Sequence, residues 1–111
     1  MDITTQRFKH CDVISVKGKV DSYTSPELIK AITAVNNAGR YKIVVDMSKL
    51  EYMSSAGFRA LLLGQRTCKR YNRGEIVLSG VPKRILDAFD LTGFTPLFKF
   101  FDDITPAVGN F

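Results

Sequence analysis

A chain of 111 residues makes one ordinary domain, long enough to bury a core without disulfides or a structural metal and too short for a second. A hydrophobic fraction of 45% and a charged fraction of 24% exclude disordered and fibrous classes. The longest apolar runs fall well short of the roughly 20 residues a membrane span requires, and Met1-Asp2-Ile3-Thr4-Thr5-Gln6 lacks the features of a secretory signal, so a cytoplasmic location without membrane insertion is expected.

Residues 2–9 and 12–18, rich in Ile, Val, Thr and Phe, read as two short strands in a hairpin that turns at His10-Cys11, with Ile14 and Val16 facing the core. Gly18 and Asp21 break the pattern. Thr24-Ser25-Pro26-Glu27 then supplies a hydroxyl cap, a first-turn proline and a glutamate in capping-box position, opening a helix that runs to about Asn37. Its buried face is Leu28, Ala31, Ile32, Val35 and Ala38, and Gly39 lies where a left-handed stop is expected. Lys42 to Asp46 is a continuous apolar strand, Ile43-Val44-Val45, with no polar face, so it is expected to be covered on both sides or to lie centrally in a sheet.

A short linker leads from Asp46 to Ser54-Ser55 at a second helix start. From Ala56 to about Tyr71, the residues Phe58, Leu61, Leu62, Cys68 and Tyr71 keep a helical period, Gly64 allows a close neighbour, and Asn72-Arg73-Gly74 ends the helix. Glu75 to Ser79 is another apolar strand. Pro82 opens a helix that turns Ile85, Leu86 and Phe89 inward before Thr92-Gly93 stops it, Pro96 to Phe101 is a last strand, and Asp102-Asp103 caps a short terminal helix holding Ile104, Ala107 and Val108.

The order ββαβαβαβ(α) predicts an α/β domain whose later strands are parallel through right-handed crossovers. Asp21 and Ser55 both follow strands and precede helices, so they are expected at one edge of the sheet, where function sits in such folds.

Chemistry at that edge is narrowed by what is missing. The one histidine, His10, lies in the hairpin turn and offers no base to a serine nucleophile, and the flanks of Ser55 do not form a Gly-x-Ser-x-Gly elbow. Neither phosphate-cradling glycine motif is present, Cys11 and Cys68 fit no metal or redox spacing, and Asp21 with Asp46 lacks the acidic pair and lysine of a receiver domain. No enzyme, cofactor or metal is expected. Arg59, Arg66, Arg70 and Arg73, with Lys69, Lys83 and Arg84, form a basic stripe that could meet nucleic acid, anionic lipid or an acidic protein surface; it reads first as a solvated helix face, since no aromatics interleave it as a nucleic-acid platform would want. What remains is a presented hydroxyl at a helix N-terminus, where Ser54 or Ser55 serves as a cap or accepts a phosphoryl group.

Taken together, Gly18-Lys19-Val20-Asp21, Ser25-Pro26-Glu27-Leu28, Ile43-Val44-Val45-Asp46-Met47-Ser48, Tyr52-Met53-Ser54-Ser55-Ala56-Gly57-Phe58, Gly74-Glu75-Ile76-Val77-Leu78 and Leu91-Thr92-Gly93-Phe94 resemble the STAS domain of bacterial anti-sigma factor antagonists over nearly the whole chain. The resemblance implies a single SpoIIAA-like STAS domain over residues 1–111, an open mixed sheet with helices mainly on one face. It also implies a partner-switching function: the antagonist binds an anti-sigma factor that is also a serine kinase, the kinase inactivates it by phosphorylation, and a PP2C-type phosphatase resets it, which regulates transcription.

The family's Asp-Ser-Ser/Thr-Gly motif maps onto Ser54-Ser55-Ala56-Gly57, which makes Ser55 the phosphosite, with Ser54 in place of the usual aspartate and Ala56 in place of the following hydroxyl residue. By the same resemblance Asp21 is an acidic residue near the kinase interface, Asp46 is a strand-end acid that shapes the loop, and the partner-binding edge comprises Asp21, Ser54, Ser55, Ala56, Gly57 and Phe58. The alternative it carries is an unphosphorylated STAS scaffold subunit of a transporter or lipid-trafficking complex. The oligomeric state is left between monomer and weak dimer.

Overall fold

The computed structural model describes residues 1–71 and 73–111. Strand β1 (Asp2–Arg7) turns into β2 (Asp12–Val20) where the Phe8 N–H donates to the Cys11 carbonyl at 2.8 Å, and the two pair antiparallel from Asp2↔Lys17 to Arg7↔Asp12. There follow α1 (Ser25–Asn37), β3 (Lys42–Met53), α2 (Ser55–Arg70), β4 (Glu75–Ser79), α3 (Lys83–Thr92), a 3-10 turn (Thr95–Leu97), β5 (Lys99–Phe101) and α4 (Ile104–Gly109). One sheet takes the order β1-β2-β3-β4-β5, every pair after the first being parallel. This is the expected mixed α/β architecture.

Alternation along the central strands divides the core into two layers. Ile43, Val45 and Met47 of β3, with Ile76 and Leu78 of β4, pack with Leu28 and Ile32 of α1, Phe58 and Leu61 of α2, and Ile85 and Phe89 of α3. Val44 and Val77 point the other way and join Cys11, Val13 and Ala107, so among the described helices α4 is the one on the second face, where Phe8, Phe101 and Phe111 also pack. The polar-free strand is indeed covered on both sides, and the helices lie mainly on one face. Gly64 lets α2 approach α1 and β4 closely, because a Cβ there would sit 2.8 Å from Ile76 Cδ1 and 3.1 Å from Ile32 Cγ2, which would have to shift. Gly39, at φ +79°, stops α1 as predicted.

The departures have local causes. Strand β3 does not stop at Asp46 but runs to Met53, pairing with β2 through Lys17↔Lys49 and Val20↔Met53 across register shifts between Ser15 and Lys17 and between Gly18 and Lys19. The shifts turn Met47, Leu50 and Met53 inward at every third residue, erasing the alternation that marks a strand in sequence. Pro96 falls in the 3-10 turn and β5 keeps only Lys99–Phe101, since proline has no N–H to give a ladder. Ala38 is exposed as the cap of α1, and Ala31 and Leu62 are only half-buried. Tyr71, expected in the core, is 48% exposed just beyond the end of α2, its ring 5.3 Å from that of Tyr41. The predicted helix stop at Asn72 lies outside the described residues. Cys11 and Cys68 are buried fillers, and burial pushes both thiols above their usual range.

Candidate functional site

Two strand ends build the edge. Val20 and Met53 are paired across β2 and β3, and the Ser54 N–H donates to the Val20 carbonyl at 2.8 Å, so the β2–α1 and β3–α2 connections leave the sheet side by side. Asp21 and Ser55 therefore meet at one edge, as the order of elements predicts.

Asp21 organises the first connection. Its Oδ1 accepts from the N–H groups of Tyr23 at 2.9 Å and Thr24 at 3.0 Å. The Thr24 hydroxyl accepts from the Asp21 N–H at 2.8 Å and shares its proton between the Lys19 carbonyl at 3.1 Å and Asp21 Oδ1 at 3.2 Å. Thr24 is thus the N-cap of α1 by position, but its hydroxyl closes the loop onto Asp21 instead of capping the helix. The Thr24 and Tyr23 amides hold the Asp21 carboxyl below the usual carboxylate range. This turn leaves Tyr23 standing 90% exposed beside a fixed negative charge. Sequence reasoning passed over Tyr23, although an aspartate followed two and three residues on by the amides it accepts is a recognised turn signature.

A pH dependence follows. A carboxylate with a lowered folded-state pKa stabilises the fold above its unfolded value, and this contribution disappears as pH falls through the folded one. Urea midpoints at pH 7 and near pH 3 are expected to show wild type more stable than Asp21→Asn at the higher pH, the gap shrinking on acidification. A gap that is constant or widens in acid would contradict the assignment.

The two serines are used differently. Ser54 holds the N-cap of α2 with φ −81° and ψ 174°, and its carbonyl accepts from Gly57 N–H at 2.9 Å and Phe58 N–H at 3.2 Å. Its hydroxyl makes no capping bond, and the buried Oγ has no hydrogen-bond partner among the described residues. Ser55 is the first residue of α2 and is exposed, in a first turn without acidic residues. The free amides and positive dipole end of a helix start favour an anion there, and the exposed Arg59 lies one turn on, on the same helical face.

Gly57 and Phe58, expected to face a partner, are buried. A Cβ on Gly57 would lie 2.5 Å from Met53 Cγ and 2.9 Å from Val20 Cγ1. Phe58 is 4% exposed, edge-on to Phe89 at 4.7 Å and Phe94 at 6.4 Å. Both fix the start of α2 onto the core, while Ala56 and Ser54 are half-exposed. Asp46 is not at a strand end: residues 47–53 of β3 separate it from Ser54, it accepts the Ser48 N–H at 3.1 Å, and it pairs across the sheet with Ser15 and Ser79. It is not brought to the edge that holds Ser55.

Among the described residues no group of three or more His, Cys, Asp or Glu is placed to hold a metal ion, and no helix is long and apolar enough to cross a membrane.

A family model described as Mlab, STAS domain, matches residues 3–99. The anti-sigma-B factor antagonist of Staphylococcus aureus is 34% identical over 94 residues, covering 85% of this chain and 85% of the relative. Among solved structures, an anti-sigma-factor antagonist (STAS) domain protein from Planctomyces limnophilus aligns with a TM-score of 0.85 at 16% identity, over 99% of this chain and 97% of its own. SpoIIAA in its unphosphorylated form aligns at 0.79 with 18% identity, over 98% and 93%. With the five-stranded mixed sheet and the helix start at Ser55, these likenesses establish that the chain belongs to the STAS-domain family of anti-sigma factor antagonists, regulatory binding proteins rather than enzymes.

Proposed function

We propose that this protein is an anti-sigma factor antagonist that binds an anti-sigma factor with serine kinase activity in a partner-switching pathway, and that phosphorylation of Ser55 switches it off. The observation that carries the reading is the exposed Ser55 hydroxyl at the start of a 16-residue helix, on the edge where Asp21 closes the loop that holds Tyr23 outward. Asp21, Ser54, Ser55 and Ala56 form the contact surface, joined by Tyr23, an aromatic of the kind enriched in binding hot spots. Gly57 and Phe58 act from beneath by holding the helix start in place.

A phosphoryl group on Ser55 adds about −1.5 to −2 charge. The first-turn amides of α2 and Arg59 accommodate it, while its charge beside Asp21 repels a partner fitted to the unmodified edge. No refolding is needed, and the fold aligns with SpoIIAA in both its unphosphorylated and phosphorylated forms, at TM-scores of 0.79 and 0.75. A PP2C-type phosphatase completes the cycle, and regulated transcription is its output.

Incubation with the cognate kinase and ATP, followed by mass spectrometry, is expected to place the label on Ser55. Ser55→Asp should weaken partner binding by about tenfold or more, and Ser55→Ala should bind constitutively. Label absent from Ser55, or unchanged affinity in Ser55→Asp, would favour a scaffold subunit whose contacts ignore this serine.

A further inference from the structure

Farther along α2, its stretch from Leu62 to Arg70, the end of α3 and the 3-10 turn enclose an open groove of about 650 Å³. The groove floor is apolar, formed by Leu62, Phe94 and Leu97, the last 41% exposed. Its buried polar residue, Gln65, is already satisfied: its amide donates to the carbonyls of Ile76 at 3.1 Å and Leu97 at 2.8 Å, and its Oε1 accepts the Ile76 N–H at 2.6 Å. The rim is Arg66, Lys69 and Arg70, all exposed and, among the described residues, in no ion pair. Helix α2 carries no acidic residue to neutralise them.

We propose that this groove docks an acidic segment of a partner protein, an apolar side chain seated on Leu62 and Leu97 and carboxylates lying over Arg66, Lys69 and Arg70. The charges run along a helix face instead of converging on one point, and the one buried donor group is occupied, which suits a segment with several carboxylates better than a small anion. The exposed floor residue is Leu97, and the one aromatic lining the groove among the described residues, Phe94, is half-buried with its ring against Phe58, which gives an apolar anchor, whereas single-stranded nucleic acid favours exposed aromatic faces. A second copy of the chain is disfavoured by its own net charge of +5. At about 1.5 Å per residue, the groove runs from roughly 10 Å (Leu62) to roughly 22 Å (Arg70) beyond Ser55 along α2, so its basic rim is separate from the switch edge.

The test is a titration of isotope-labelled protein with a synthetic amphipathic helical peptide bearing leucines on one face and glutamates on the other, followed by NMR. The expected shifts centre on Leu62, Arg66, Arg70, Phe94 and Leu97. The double variant Arg66→Glu/Arg70→Glu, folded by circular dichroism, should bind about tenfold more weakly or worse. The proposal is overturned by shifts elsewhere or none, by unchanged affinity in the double variant, or by equal binding of the same peptide with lysine in place of glutamate. Tighter binding of a single-stranded oligonucleotide or of phosphatidylglycerol vesicles, lost in the double variant, would also overturn it.

Discussion

Phe89→Ala is expected to destabilise the domain by about 3–5 kcal/mol, the range for truncating a buried phenylalanine. Phe89 is fully buried and lies at the centre of an aromatic cluster, edge-to-face with Phe58 at 4.7 Å, Phe100 at 5.4 Å and Phe98 at 5.8 Å. Its removal loses transfer free energy and three edge contacts of about 0.5–1.5 kcal/mol each, and it leaves a cavity beneath the start of α2. Against a total of about 5–15 kcal/mol for a domain of this kind, that is a large fraction. Phe89→Leu keeps most of the volume and should cost less than Phe89→Ala. Urea unfolding reads the effect as a lowered midpoint at constant m. A midpoint shift worth less than about 1 kcal/mol would show that the cluster closes over the gap.

The same cluster joins stability to function, because Phe58 is the fourth residue of α2 and its ring against Phe89 sets where the Ser55 hydroxyl stands. Most of the scaffold was legible in the sequence for a physical reason: α1, β4 and α3 are bounded by signals that act locally, Pro26 and Gly39, the apolar run Ile76-Val77-Leu78, and Pro82 and Gly93. What was not legible depends on partners distant in sequence. The continuation of β3 past Asp46 is decided by its pairing with β2 through two register shifts, and no pattern within residues 47–53 announces it. The meeting of Asp21 and Ser55 followed from topology alone. The helical period set Phe58 beside Leu61 on the apolar face while the resemblance set it with Gly57 on the partner edge; both are buried, because Met53, Val20 and Phe89, which enclose them, close over the helix start from three different elements. Tyr23 escaped notice for the opposite reason. Its exposure is fixed by a hydrogen-bonded turn within its own loop, whose signature was read only as a break between strand and helix.

A long-range ion pair at the far edge of the sheet, Arg40 with Asp12, supplies the second large effect. Asp12 opens β2 and is 4% exposed, and its Oδ1 accepts from Arg40 Nε. The same guanidinium donates from Nη2 to the Phe8 carbonyl at 2.6 Å and the Cys11 carbonyl at 3.1 Å, so one side chain ties the β1–β2 turn to the residue following the Gly39 stop of α1. Removing it leaves a buried carboxylate and the Phe8 carbonyl without this donor, while the Cys11 carbonyl keeps the Phe8 N–H; Arg40→Ala should cost about 3 kcal/mol, the lower end of the range for breaking a buried pair from one side, since the Arg40 side chain is itself a quarter exposed. Arg40→Lys should recover only part of this, because an ammonium on a flexible stem does not reproduce the planar fork that reaches all three acceptors. The double variant Asp12→Leu/Arg40→Met removes the charge along with its partner and should lie closer to wild type than Arg40→Ala does. Chemical denaturation of the four proteins measures these losses. A loss below about 1 kcal/mol in Arg40→Ala, typical of a solvated surface pair, would mean that water replaces the guanidinium and that the turn is held by the Phe8–Cys11 backbone bond instead.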